Sequence, residues 1–309
     1  MISAEKISKR YGNLFAVRDA SFFVPKGQVL GLLGQNGAGK TTLMNILTGC
    51  LAPSGGNVLI GGHDIITQPR LAKHLIGYLP EVAPLYDEMT VWAYLRFVCE
   101  LKDVVSDQID SHLAEICEKA GISDIKGRVI GHLSKGYRQR VGLAQALCGS
   151  PEIIILDEPT AGLDPVQTTE FRTLIRQLKG EHTIILSSHI LSEVENICER
   201  VLILHRGNLV SDTMMHSMRG NKVRLRASIA GGENTILPAL HRLEHIEDVQ
   251  VVRGSVPGVC DVILQAPHDA QIERELFTLL SAMHAPLLRL YPVSQSLEDI
   301  FLRSIAEQS

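Results

Sequence analysis

The sequence has no apolar run long enough to span a membrane, and its first ten residues, MISAEKISKR, lack the apolar stretch of a signal peptide. It has no excess of positive charge either. Lys and Arg together number 30 against 34 Asp and Glu, a formal net charge of −4, so nucleic acid is not an expected partner. The six cysteines, Cys50, Cys99, Cys117, Cys148, Cys198 and Cys260, form no CxxC pair, which points to reduced thiols in a cytosolic protein rather than a disulfide framework. The twelve histidines show no metal-ligand spacing, and there is no internal repeat. What remains is the composition of a globular protein of 309 residues, long enough for two domains, with 45% hydrophobic and 21% charged residues.

Against this background one segment stands out. Gly34 to Thr42, GQNGAGKTT, matches the phosphate-loop pattern G-x-x-x-x-G-K-[ST]. Gln28 to Leu33 before it reads as a short buried strand, and Leu43 to Thr48 after it has apolar residues at helical spacing. In that context Gly34, Gln35, Asn36, Gly37, Ala38, Gly39, Lys40, Thr41 and Thr42 wrap phosphate with backbone N–H groups at the positive end of a helix. Lys40 adds charge to the β/γ oxygens, and Thr41 offers a hydroxyl to magnesium. The chain has one such loop.

Three further blocks carry chemistry. Ile153 to Pro159, IIILDEP, is a buried strand with Asp157 and Glu158 at its C-terminal end, where open α/β sheets bind ligands. Asp157 suits magnesium, and Glu158 suits the abstraction of a proton from water. His132 to Leu147 reads as a helix capped by Ser134, with a second anion site at Ser134 and the amides near Gly136. Thr183 to Ile190, TIILSSHI, is another buried strand tipped by polar residues and His189, after a helix-length segment from Val166 to Lys179.

In this order the blocks resemble the nucleotide-binding subunit of an ATP-binding cassette (ABC) transporter, over roughly residues 1 to 215. The resemblance implies a P-loop NTPase domain of α/β class, with a mixed sheet, an antiparallel β layer and a helical lobe. It implies ATP and Mg2+ as bound species and an ATPase activity. By the same resemblance Leu133 to Tyr137, LSKGY, match the signature sequence, and Ala161 to Asp164 match the loop that spans the family's dimer interface. His189 matches the γ-phosphate switch histidine, and Tyr11 the aromatic that stacks on adenine. Glu81, after Tyr78-Leu79-Pro80, stands where the family has a magnesium-contacting glutamine. Lys135 and Tyr137 depart from the usual LSGGQ. These variants are similar to those of an exporter-type subgroup. Implied partners are a second ATPase subunit and separate transmembrane permease subunits, with the chain cytoplasmic and peripheral on the inner membrane face. A soluble ABC ATPase with a non-transport role, or a non-catalytic nucleotide switch, are the alternatives.

Residues 1 to about 30 and 55 to 65 alternate as strands, and about 85 to 148 read as mostly helical, with Trp92, Tyr94, Phe97 and Val98 as a candidate partner-facing surface. Residues 222–309 follow as an accessory domain. Their order is strand (Lys222 to Ser228), helix (Thr235 to Leu243), strand (Val249 to Arg253), strand (Cys260 to Gln265), helix (Asp269 to Met283) and strand (Leu287 to Tyr291). This βαββαβ order suggests a small α+β ferredoxin-like fold, followed by a last helix near Ser296 to Ile305.

Overall fold

The computed structural model describes residues 1–215, 222–252, 258–267, 272–292 and 297–306. Arg253, the stretch from Asp269 to Gln271, and Ser296, which the sequence reading includes in a strand and two helices, lie outside the described residues. The chain divides into two compact units, Met1–Met214 with Arg303–Ser309, and Met215–Leu302.

In the first unit, strands β1 (Ile2–Tyr11), β2 (Leu14–Val24), β3 (Val29–Leu33), β4 (Gly55–Ile60), β5 (His63–Asp64), β6 (Ile76–Leu79), β7 (Ile153–Leu156), β8 (Thr183–Ser188), β9 (Arg200–His205) and β10 (Asn208–Met214) form one sheet. Its order is β5-β4-β1-β2-β10-β9-β3-β8-β7-β6. The two halves differ for a sequence reason. Strands β3, β7 and β8 are buried at every position, and all three are apolar runs except for Thr183 at the start of β8 and its polar tip, Ser187 and Ser188. Such strands need cover on both faces and pair in parallel, and β9-β3-β8-β7-β6 are all parallel neighbours. By contrast β1, β2, β4 and β5 are antiparallel, joined at one end by the Gly12-Asn13 turn, where Gly12 has φ +59°. A core of Ile2, Ile7, Leu30, Leu43, Met44, Ile60, Ile155 and their neighbours ties the antiparallel layer to the parallel half.

Helices α1 (Lys40–Leu47), α2 (Pro69–His74), α3 (Val91–Leu101), α4 (Ile109–Lys119), α5 (Lys135–Leu147), α6 (Pro165–Gln177) and α7 (Leu191–Ile197) complete the unit. Several starts are written in the sequence. Thr90 caps α3 through the Ala93 N–H, Ser134 caps α5 through the Tyr137 N–H, and Asp164 caps α6 through the Gln167 N–H with Pro165 at the first helical position. Each such cap contributes about 1 kcal/mol. One reading needs correction. Tyr94 is no partner-facing residue: it is 3% exposed, and its hydroxyl donates to Gln145 Oε1 at 2.6 Å. Trp92, Phe97 and Val98 are half-buried.

In the second unit, β11 (Lys222–Ala230), α8 (Glu233–Leu240), β12 (Asp248–Val252), β13 (Val259–Pro267), α9 (Ile272–Ala282) and β14 (Leu287–Pro292) give a sheet of order β12-β13-β11-β14, antiparallel at each neighbouring pair. The first and third strands are central, the arrangement of two interleaved β-α-β units. Strict alternation along β13 puts Cys260, Val262, Leu264 and Ala266 on one face, where Ile236, Leu240, Leu276 and Leu280 of the two helices join most of them in a core. Helix α10 (Leu297–Ala306) follows.

Candidate active site

The site is assembled at the C-terminal ends of the parallel strands, where three loops converge. The first leaves β3. Gly39 has φ +107°, and a Cβ there would run into the Ala16 carbonyl oxygen; at Gly34 a Cβ would lie 2.5 Å from the Leu204 carbonyl oxygen. No other residue fits at either position, so the loop packs directly against the backbone at Ala16 and Leu204. Lys40, at the start of α1, is 6% exposed, and its Nζ donates to the Gly34 carbonyl at 2.8 Å and the Gln35 carbonyl at 3.3 Å.

The second loop leaves β7. Glu158 Oε1 lies 3.2 Å from Lys40 Nζ, a pair with both side chains largely out of water. Glu158 is not glycine yet sits at φ +46°, in the left-handed region. Its N–H donates to Ser187 Oγ at 2.8 Å, a tether that helps hold a conformation costly for a side-chain-bearing residue. The same Ser187 hydroxyl donates to Asp157 Oδ1 at 2.5 Å. Asp157 is 1% exposed, and its other oxygen, Oδ2, is buried with no hydrogen-bond partner. A buried, unpaired carboxylate oxygen is costly unless a cation answers it. Nearby, burial and then the charge of Asp157 push the Tyr78 hydroxyl well above its ordinary pKa, so it stays a neutral donor to Asn45 Oδ1 at 3.2 Å.

The third loop leaves β8. His189 is 45% exposed, with Nδ1 2.9 Å from Glu158 Oε2. The three loops enclose a cavity of about 440 Å³ lined by Asn36, Gly37, Gly39, Lys40, Thr41, Thr42, Glu81, Glu158 and His189, together with Ala16 and Ala161. The structure therefore gathers the phosphate loop, Glu81, Glu158 and His189 in one place, with Asp157 directly behind Glu158. Gly34, Gln35 and Ala38 of the phosphate loop, Asp157, and the more distant Tyr11, Ser134 and Gly136 are not in this lining. Tyr11 is 52% exposed at the end of β1, with Lys9 Nζ 5.5 Å from its ring centroid. Ser134 is exposed and Gly136 buried at the start of α5, where the Lys135 ammonium lies against Gly162.

A cavity floored by backbone amides and one lysine, with a carboxylate and an imidazole at its rim, is built for a polyphosphate and an attacking water. The ABC transporter family model matches residues 17–161. An ABC transporter ATP-binding protein of Synechocystis is 34% identical over all of this chain and 85% of its own length. The chain belongs to the ABC transporter ATP-binding proteins. A second relative of this ABC cassette, the linearmycin resistance ATP-binding protein LnrL of Bacillus subtilis, is 31% identical over 98% of this chain and 97% of its own. Among solved structures, cbiO1 of Clostridium perfringens, part of the ABC transporter complex cbiONQ, aligns with a TM-score of 0.65 and 25% identity, covering 78% of this chain and 95% of that one. The cassette is thus an ATP-binding ATPase with the mixed α/β ABC fold.

Sequence reading missed three buried residues that hydrogen-bond to the loops around the cavity: Ser187, Ser188 and Glu193. Two serines ending an otherwise apolar strand were the visible signal for the first pair. Glu193 falls in none of the motifs and gave no signal in the sequence; the fold buries it to 4% exposure. For magnesium, the donor set fits. Asp157 Oδ2 is a buried carboxylate oxygen with no hydrogen-bond partner, and Thr41 and Glu81 line the cavity; these are the oxygen donors that would hold the ion. Among the described residues no three His, Cys, Asp or Glu side chains make an all-protein metal cage, as suits an ion that takes most ligands from phosphate and water.

Proposed function

We propose that this ATPase works as one half of a head-to-tail pair and drives transport, in the export direction, through separate membrane-spanning subunits. One observation carries the pairing. The helix start capped by Ser134, with Gly136 in its first turn, is of the kind that suits an anion, and neither residue lines the cavity around Lys40. A second copy facing the first supplies that helix start to the exposed side of the bound γ-phosphate. The lining completed in this way would be dry enough to strengthen each charge contact.

The residues then divide the work. Amides of Gly37 to Thr42 and the Lys40 ammonium hold the phosphates, and Tyr11 stacks on adenine. Thr41, Asp157 and Glu81 would hold Mg2+, which when bound neutralises charge on the phosphate oxygens. Phosphate competes with Glu158 for Lys40, which frees the Glu158 carboxylate to accept a proton from water. His189, whose Nδ1 meets Glu158 Oε2, links that carboxylate to the γ-phosphate.

Membrane partners are supported by two facts. No helix among the described residues is long and apolar enough to cross a membrane, and the cbiO1 relative is named as part of a transporter complex. Export is supported by the relative named for linearmycin resistance. The ATPase then sits on the inner membrane face. The second unit is assigned as an accessory domain from residue 222 onward, ferredoxin-like in strand order. The test is retrieval of tagged Glu158→Gln protein from detergent-solubilised native membranes, with and without ATP. Co-purification of a polytopic membrane protein is expected; soluble partners alone would contradict the transport role.

A further inference from the structure

We infer that Glu193 is a positioning residue for hydrolysis, setting the spacing between the Glu158 carboxylate and His189. The inference rests on the assignment of those two residues to the reacting end of ATP. Glu193 lies on α7, away from the cavity lining, and is 4% exposed. Its Oε1 accepts from Thr160 Oγ1 at 2.6 Å and lies 3.3 Å from an Arg172 guanidinium nitrogen; its Oε2 accepts from Ser188 Oγ at 2.7 Å. Thr160 is two residues after Glu158, and Ser188 immediately precedes His189. One carboxylate therefore grips both loops whose tips meet in the 2.9 Å contact between Glu158 Oε2 and His189 Nδ1. Ser188 Oγ also accepts from the Ile190 N–H at 3.0 Å, so it fixes the backbone on both sides of His189. Arg172, on α6, anchors the carboxylate from the helix that follows the Ala161 to Asp164 loop.

Stability alone is a poor reason for this arrangement. A buried ion pair recovers little more than the cost of removing its charges from water, and apolar packing of the same volume serves a core as well. What the charged network adds is geometry: three hydrogen-bond directions converge on one rigid group, and reacting groups misplaced by about 1 Å lose on the order of 100-fold in rate.

The experiment measures kcat, KM and equilibrium ATP affinity for Glu193→Ala, Glu193→Gln and Ser188→Ala, with melting temperatures. Glu193→Ala is expected to lose about 10- to 100-fold in kcat with ATP affinity unchanged. Glu193→Gln recovers most of that loss, because its amide oxygen still accepts from Thr160 and its amide nitrogen donates to Ser188. Ser188→Ala removes one hydroxyl and keeps the Glu193–Arg172 pair, so it gives a readable result even where Glu193→Ala does not fold. It is expected to lower kcat with ATP affinity unchanged. In a His189→Ala background, Glu193→Ala adds little further loss, as expected for residues acting through one another. Unchanged kcat in Ser188→Ala, full multiplication of the losses with His189→Ala, or parallel loss of ATP affinity and melting temperature would overturn the inference. Near wild-type hydrolysis by Glu158→Gln would instead remove the assignment on which it rests.

Discussion

The Ser187 hydroxyl touches both acidic residues of the β7 loop, donating to Asp157 Oδ1 and accepting from the Glu158 N–H. It leaves Asp157 Oδ2 buried with no hydrogen-bond partner, the oxygen that the proposed Mg2+ would take. Ser187→Ala frees the Asp157 carboxylate to rotate and strands the Glu158 amide. Outer partners of metal-holding groups are typically worth about 10- to 100-fold in metal affinity or activity. The Mg2+ concentration for half-maximal hydrolysis should rise by that order, while ATP binding measured in EDTA stays at the wild-type level. An unshifted Mg2+ dependence would remove Ser187 from the site. Residues of this kind were the hardest to read in the sequence. Ser187 and Asp157 are 30 positions apart, and Glu193 meets Thr160 across 33. Their meaning lies in which strands become neighbours, and a one-dimensional pattern does not carry that. The groups in the cavity itself were legible because phosphate chemistry demands contiguous residues: a glycine loop, Lys40 and Thr41 in one run, Asp157 and Glu158 in another.

Among the elements, the parallel strands were plain in the sequence because burial on both faces forces unbroken apolar runs, and β3, β7 and β8 are short runs of that type. Helix starts were plain where a capping side chain preceded them, as at Ser134. For Tyr94 the sequence left a partner-facing surface and a helix packed on its own core both open, and the fold takes the second. Gln145 and the Pro84 carbonyl take up its hydroxyl in the interior. A second internal contact at this scale gives an expected dependence of stability on pH. The Gly149 N–H, just after α5, donates to His112 Nε2 on α4 at 3.0 Å. Burial holds the His112 imidazole below its ordinary pKa, with Glu115 opposing and Lys119 adding to the shift. The folded state thus favours neutral His112, and the unfolded chain takes up the proton first as pH falls. The stabilisation is complete above the unfolded value of about 6.5 and is lost as pH drops through that value toward the lower folded one. His112→Gln should therefore show a smaller fall in melting temperature between neutral and mildly acidic buffer than the wild type. An identical fall in both would show that His112 does not report on this pH window.

For the whole molecule, the cavity around Lys40 and the helix start at Ser134 are separate, and the proposed head-to-tail pair joins them between copies. The sequence displayed both halves but not their separation, because distance between two loops depends on the intervening sheet and helices. Complementation between variants is the most direct measurement of the central claim. Lys40→Ala and Ser134→Arg proteins, each inactive alone, are mixed and assayed for ATP hydrolysis. A head-to-tail pair contains one site with an intact phosphate loop from the Ser134→Arg copy and an intact Ser134 from the Lys40→Ala copy. Activity is expected to return on mixing; a mixture as inactive as its parts would contradict the head-to-tail pair.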